Sequence, residues 1–136
     1  MRFAAVLASL LALCSMLACG GPEEYTVVGT ARAAGTDGSI QVEEIEGGNR
    51  LVTISLQHLP PPSRMGDDRS VYAAWFIASN APATKAGNLE FDEDTREARL
   101  MATTPLAEFT VRVTAEVDEN AGQPSDIVVV ERRVEE

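Results

Sequence analysis

From Leu51 to Leu59 the chain alternates without a break: Val52, Ile54 and Leu56 fall on one side, Thr53, Ser55 and Gln57 on the other. A period of two predicts a half-buried β-strand. Phe109 to Val117 repeats the pattern, with Phe109, Val111, Val113 and Ala115 set against Thr110, Arg112, Thr114 and Glu116. Between them, Val71 to Ala78 is apolar at every position. That run predicts a central strand covered on both faces. Tyr25 to Ala33, Ile40 to Ile45, Ala86 to Phe91, Arg96 to Ala102 and Ile127 to Val130 complete the set of predicted strands. The punctuation agrees: Gly35-Thr36-Asp37-Gly38, Gly47-Gly48-Asn49, Asp92-Glu93-Asp94 and the Gly/Pro/Asn run Asn120 to Ser125 read as turns. Pro60-Pro61-Pro62 removes three backbone donors in a row and stops the third strand. No stripe of helical period follows the first twenty or so residues. The expectation is an all-β chain folded as a small antiparallel β-sandwich, Ig-like, with about eight strands.

The opening stretch has a different pattern. Met1-Arg2 supplies a positive charge, Phe3 to Ala18 is uncharged and rich in Leu and Ala, and Cys19-Gly20-Gly21 follows. This is the order of a secretory signal peptide, with a helix too short for a comfortable permanent membrane span. Met16-Leu17-Ala18-Cys19 resembles the bacterial lipobox, which implies a lipid on Cys19 and cleavage just before it. Met16 and Leu17 are less usual residues there, whereas Ala18 and Cys19 fit; Cys14 follows Leu13, too large for the cleavage pocket. The expected division is a lipoprotein signal peptide over 1–18, a lipidated Cys19 with a short tether over 19–24, and a β-sandwich over 25–136. Residue 20 is Gly and not the Asp associated with inner-membrane retention, which favours the outer membrane.

Charge and cysteine usage narrow the function classes. The 136 residues carry 21 acidic and 11 basic side chains, a net charge of −10, and losing Arg2 with the signal leaves the remainder more acidic. Such a surface repels phosphate backbones and anionic headgroups, so the sequence predicts no nucleic-acid partner and attachment to the membrane through acyl chains alone. No cysteine follows Cys19, so an exported domain must stand on its apolar core without a disulfide.

Candidate chemistry is sparse. His58 is the one histidine, at a strand end beside the prolines, and no zinc-ligand spacing or triad surrounds it. Asp92-Glu93-Asp94 and Asp67-Asp68 lack the spaced ligands and glycine of a calcium loop. Ser70 and Ser125 sit on no nucleophile elbow, and Tyr72 and Trp75 read as core residues before they read as a sugar platform. The inventory therefore predicts no enzyme, no metal and no cofactor. The long connection from Pro60 to Arg69 offers Arg64, Met65 and Arg69 as a partner contact, an adaptable apolar side chain between two cations on an acidic protein.

The order of motifs over about residues 51–130 has a known counterpart. An alternating strand ends in Leu59-Pro60. Tyr72-Ala73-Ala74-Trp75-Phe76-Ile77, Ala86-Gly87-Asn88-Leu89, Phe109-Thr110-Val111 and Gly122-Gln123-Pro124-Ser125 before Ile127-Val128-Val129 come after it. This resembles the extracytoplasmic C-terminal domain of anti-sigma-K-type factors. The resemblance implies a compact β-sandwich in the cell envelope. It transfers no catalytic or binding residue, and with a lipoprotein signal where a sigma-binding domain and membrane helix would stand, it does not transfer sigma-factor inhibition. The expected role is a lipid-anchored, non-catalytic interaction module with another envelope protein as partner; a purely structural envelope component is the alternative, and a regulatory sensor domain or an enzyme is a more distant one.

Overall fold

The computed structural model describes residues 21–136. The expected signal peptide, with Cys14, and the expected lipidated Cys19 lie outside the described residues. Nine strands form two antiparallel sheets: β1 (Glu23–Val28), β2 (Asp37–Glu44), β3 (Arg50–Gln57), β4 (Val71–Ile77), β5 (Thr84–Asn88), β6 (Glu90–Asp92), β7 (Glu97–Thr104), β8 (Phe109–Glu116) and β9 (Val128–Val134). One sheet runs β1-β2-β3-β7-β6 and the other β5-β4-β8-β9. Side chains of one parity enter the space between them. Ile40, Val42, Val52, Ile54 and Leu56 come from the first sheet, and Tyr72, Ala74, Phe76, Phe109, Val111, Val113 and Val130 from the second, all buried in one core. The all-β sandwich expected from the alternation is the fold.

Three elements differ from expectation, each for a local reason. The first strand starts at Glu23, two residues into the expected tether, because Glu23 and Glu24 pair with Val42 and Gln41. It ends at Val28, and Ala31–Ala33 is a 3-10 turn. The expected strand Ala86 to Phe91 is two strands in different sheets. β5 pairs with β4, β6 pairs with β7, and Leu89 is buried at the crossing. Gly87 at φ 154° allows that crossing, with Leu100 Cδ1 only 3.1 Å from where a Cβ would stand. β9 continues to Val134, four residues past the apolar run, because Glu131, Arg132 and Arg133 keep pairing with β8.

The register defines two poles. Glu23, Glu44, Arg50, Thr104, Phe109 and Val134 share one end, where the described chain begins and finishes. We call it proximal. The other, distal end carries the connections Gly29–Thr36, His58–Ser70, Glu93–Arg96 and Val117–Ile127. The two longest connections are both distal.

Candidate functional site

The distal pole is held together by backbone capture. Thr36 donates its hydroxyl to His58 O at 3.0 Å, Leu59 N–H donates to Arg96 O at 3.0 Å, and the Tyr72 hydroxyl donates to Pro60 O. His58 and Arg96 both adopt left-handed backbone, φ 56° and 58°, which for residues with a Cβ costs about 1–2 kcal/mol each. The His58 ring is largely exposed, with Nδ1 2.6 Å from Asp37 Oδ1. It is a locally hydrogen-bonded surface side chain. No group of three His, Cys, Asp or Glu side chains is poised for a metal among the described residues. Asp92 is already committed, its Oδ1 accepting the N–H groups of Asp94 and Thr95.

The loop from Pro60 to Arg69 does not present the contact expected of it. Pro62–Arg64 closes a 3-10 turn, and Met65, with its N–H bonded to Pro62 O, is 7% exposed within the core. A buried methionine cannot serve as the adaptable side chain between Arg64 and Arg69. Arg64 alone points freely outward. Arg69 folds back, donating Nη1–H to Ala115 O at 3.2 Å, while its buried Nε has no partner among the described residues. The apolar pull on Met65 outweighs the loop's polarity, which the run of charges around it concealed. What the loop does form is a shallow hollow of about 280 Å³, lined by Pro61, Pro62, Ser63, Arg69, Phe91 and Glu93.

The second distal connection covers a tryptophan. Trp75 has the opposite parity to Tyr72, Ala74 and Phe76, so it lies on the outer face of its sheet, outside the inter-sheet core, yet is 0% exposed. Its indole Nε1–H donates to Thr114 Oγ1 at 2.8 Å, the Thr114 hydroxyl donates to Glu116 Oε2, and the same oxygen accepts the Ser125 N–H at 2.9 Å. Across the sheet, Lys85 Nζ and Asn88 Nδ2 both donate to Glu119 O, and Lys85 stands 5.9 Å from the indole centroid. The Val117–Ile127 segment is thus strapped over β4 and β8. Thr114 and Glu116, which the alternation assigns to solvent, are 0% and 4% exposed beneath it. The signal for this was the doubly apolar run Val71 to Ala78, whose outward residues needed a cover.

A third feature lies on the flank. Between β5 and β7 a cleft of about 430 Å³ is lined by Phe76, Lys85, Ala86, Met101, Ala102 and Leu106, with threonines at its rim. Sequence reading did not find it, because it arises where one expected strand divides between two sheets. No protein-family model, curated protein or solved structure matches the chain.

Proposed function

We propose that this chain is a lipid-anchored interaction module of the bacterial cell envelope, held by Cys19 and offering its distal pole to another envelope protein. The observation that carries this reading is polarity: the chain enters its sandwich at Glu23 on the proximal end, and both long connections stand at the other. Loops set on a rigid scaffold are where binding residues concentrate. The hollow beside Pro61, Pro62 and Phe91 is mixed in character, with Ser63, Ser70, Arg69 and Glu93 offering polar contacts around a stiff proline start. The Met16-Leu17-Ala18-Cys19 lipobox and the resemblance to an extracytoplasmic anti-sigma-K-type domain support an envelope location, with the outer membrane as the favoured one.

The test is fractionation followed by capture. Cys19→Ser is expected to move the protein from the membrane fraction to the soluble one or to leave it unprocessed, since two acyl chains anchor durably where weaker attachments do not. A photo-cross-linker at Ser63 is expected to capture one defined envelope protein. Normal processing and unchanged membrane association of the Cys19→Ser protein would overturn the anchor. A cross-linker at Ser63 that captures nothing would overturn the distal pole as the partner surface.

A further inference from the structure

The two flanks of the sandwich are closed unequally. On one, β1 and its 3-10 turn lean on β9: Thr30 donates its N–H to Val129 O at 2.9 Å and its hydroxyl to Val128 O at 2.6 Å, and Tyr25 donates its hydroxyl to Glu135 O at 3.1 Å. On the other, β6 pairs with β7 only over Glu97–Arg99. From Leu100 to Thr104, β7 has β3 along one edge and no strand along the other, and no loop backbone bonds to that edge among the described residues. β5 likewise has only β4 beside it. The cleft lies between these two bare edges.

Bare edges are ordinarily blunted by charge, proline, shortness or a bulge. β5 carries Lys85 and a register shift opposite Ala74 and Trp75; β6 is three residues long with two carboxylates; β9 presents Glu131, Arg132 and Arg133. Leu100-Met101-Ala102-Thr103-Thr104 carries no charge, proline or bulge, and Pro105 stands only at its proximal end. Alternate residues of a strand direct both N–H and C=O to the same edge, so this run offers paired donors and acceptors ready for another strand.

We propose that this flank receives an extended strand from a partner protein, pairing with Leu100–Thr104 and filling the cleft with its inward side chains. The proposal rests on the interaction-module reading and goes beyond it, adding on this flank a second partner site separate from the distal pole. Charge sets that chemistry. The cleft has no carboxylate in its lining, and its one cation, Lys85, is held by Glu119 O. Its Thr104–Leu106 end lies at the proximal pole, where the β2–β3 turn carries Glu43, Glu44 and Glu46 and the β7–β8 connection carries Glu108, against Arg50 and Arg133. The strand is therefore uncharged where it lies in the cleft and carries lysine or arginine where it reaches that pole. A second copy of this chain, at net −10, is the wrong partner.

Three synthetic peptides test this on the detergent-solubilised full-length protein: Lys-Lys-Val-Thr-Val-Ala-Val, its Glu-Glu counterpart, and a version of the first with proline at the central valine. Each carries a fluorophore and a photo-leucine. The lysine peptide is expected to bind saturably and to cross-link within β5 and β7. The glutamate and proline peptides should bind at least about tenfold more weakly, as should the lysine peptide to Ala86→Phe, which fills the cleft. Met101→Lys, at a position 54% exposed, gives the same loss by repulsion should Ala86→Phe fold poorly. Equal binding of the proline peptide, cross-links confined to the distal loops, or no saturable binding overturns the proposal. None of these readouts depends on Cys19 or on the membrane, so strand addition and anchoring can fail separately.

Discussion

Tyr72 and Trp75 stand three residues apart on one strand and lie on opposite sides of the sheet, and the difference governs what each does. Tyr72 is wholly buried in the inter-sheet core with its hydroxyl on Pro60 O, and burial pushes its phenol far above the ordinary range. Below about pH 10 a phenol is protonated in both folded and unfolded chains and adds no pH dependence. Above it the unfolded chain loses a proton that the native one keeps, so stability falls as pH rises. Urea midpoints measured from pH 8 to 11.5 should show that fall. Tyr72→Phe should flatten it while costing about 1 kcal/mol at neutral pH for the lost hydrogen bond. Tyr25→Phe, at the half-buried tyrosine, should leave most of the fall in place. If Tyr72→Phe falls as steeply as wild type, the alkaline sensitivity lies elsewhere. Trp75 makes a different demand. Trp75→Ala should cost about 3–5 kcal/mol by urea titration, and Glu116→Ala about 1–3 kcal/mol, because it strands the buried Thr114 hydroxyl and Ser125 N–H. The sequence showed that Trp75 would be buried. It could not show under what, since the cover is a turn-rich loop with little apolar content of its own.

At the scale of elements, the strands most legible in the sequence are those whose neighbours sit on both sides. β3 and β8 have partners along both edges and one face on the core, so their alternation maps directly onto burial, up to Thr114 where the strap intervenes. Edge elements were less legible. β6 has three residues and no core repeat of its own, and β5 gains its place from a glycine and a crossing that period-two counting treats as continuous. Gly38 is a related case. It reads as part of a turn, but it lies inside β2, where an added Cβ would stand 2.1 Å from Ser55 O on the neighbouring β3. Its lack of a side chain is a packing requirement between backbones, not a turn requirement. Gly38→Ala should therefore lower the melting midpoint sharply, by an amount comparable to a poor core substitution of about 1–3 kcal/mol. Gly48→Ala, at φ 76° with open space around it, should cost only the left-handed strain of about 1–2 kcal/mol. A Gly38→Ala protein that melts with wild type would mean that β2 and β3 can part at that point without loss.

For the whole molecule the consequential quantity is length along the strands. Eight residues of β2 at about 3.4 Å each give a sandwich roughly 27 Å tall before its loops are added. Three residues, Gly20 to Pro22, separate Cys19 from Glu23, so four Cα steps reach at most about 14 Å. A tether shorter than the body cannot let the body invert, so the proposed anchor at Cys19 would fix which pole faces the lipid. The acidic proximal pole, with Glu43, Glu44 and Glu46 near the β2–β3 turn, would be repelled by anionic headgroups and hold the domain upright rather than flat. The prediction is a gradient of depth. Ile45→Cys and Ser63→Cys, each labelled with a small fluorophore on the processed protein in vesicles with nitroxide-bearing lipid headgroups, should be quenched unequally, strongly at the proximal residue 45 and little at the distal residue 63. Raising the fraction of anionic lipid should weaken quenching at both positions, and raising salt to 1 M should restore it, because the Debye length then falls to about 3 Å. Equal quenching at the two positions would mean that the sandwich lies on its side, presenting the β5–β7 flank or its opposite to the membrane, and the distal pole would lose its claim as the surface offered to a partner.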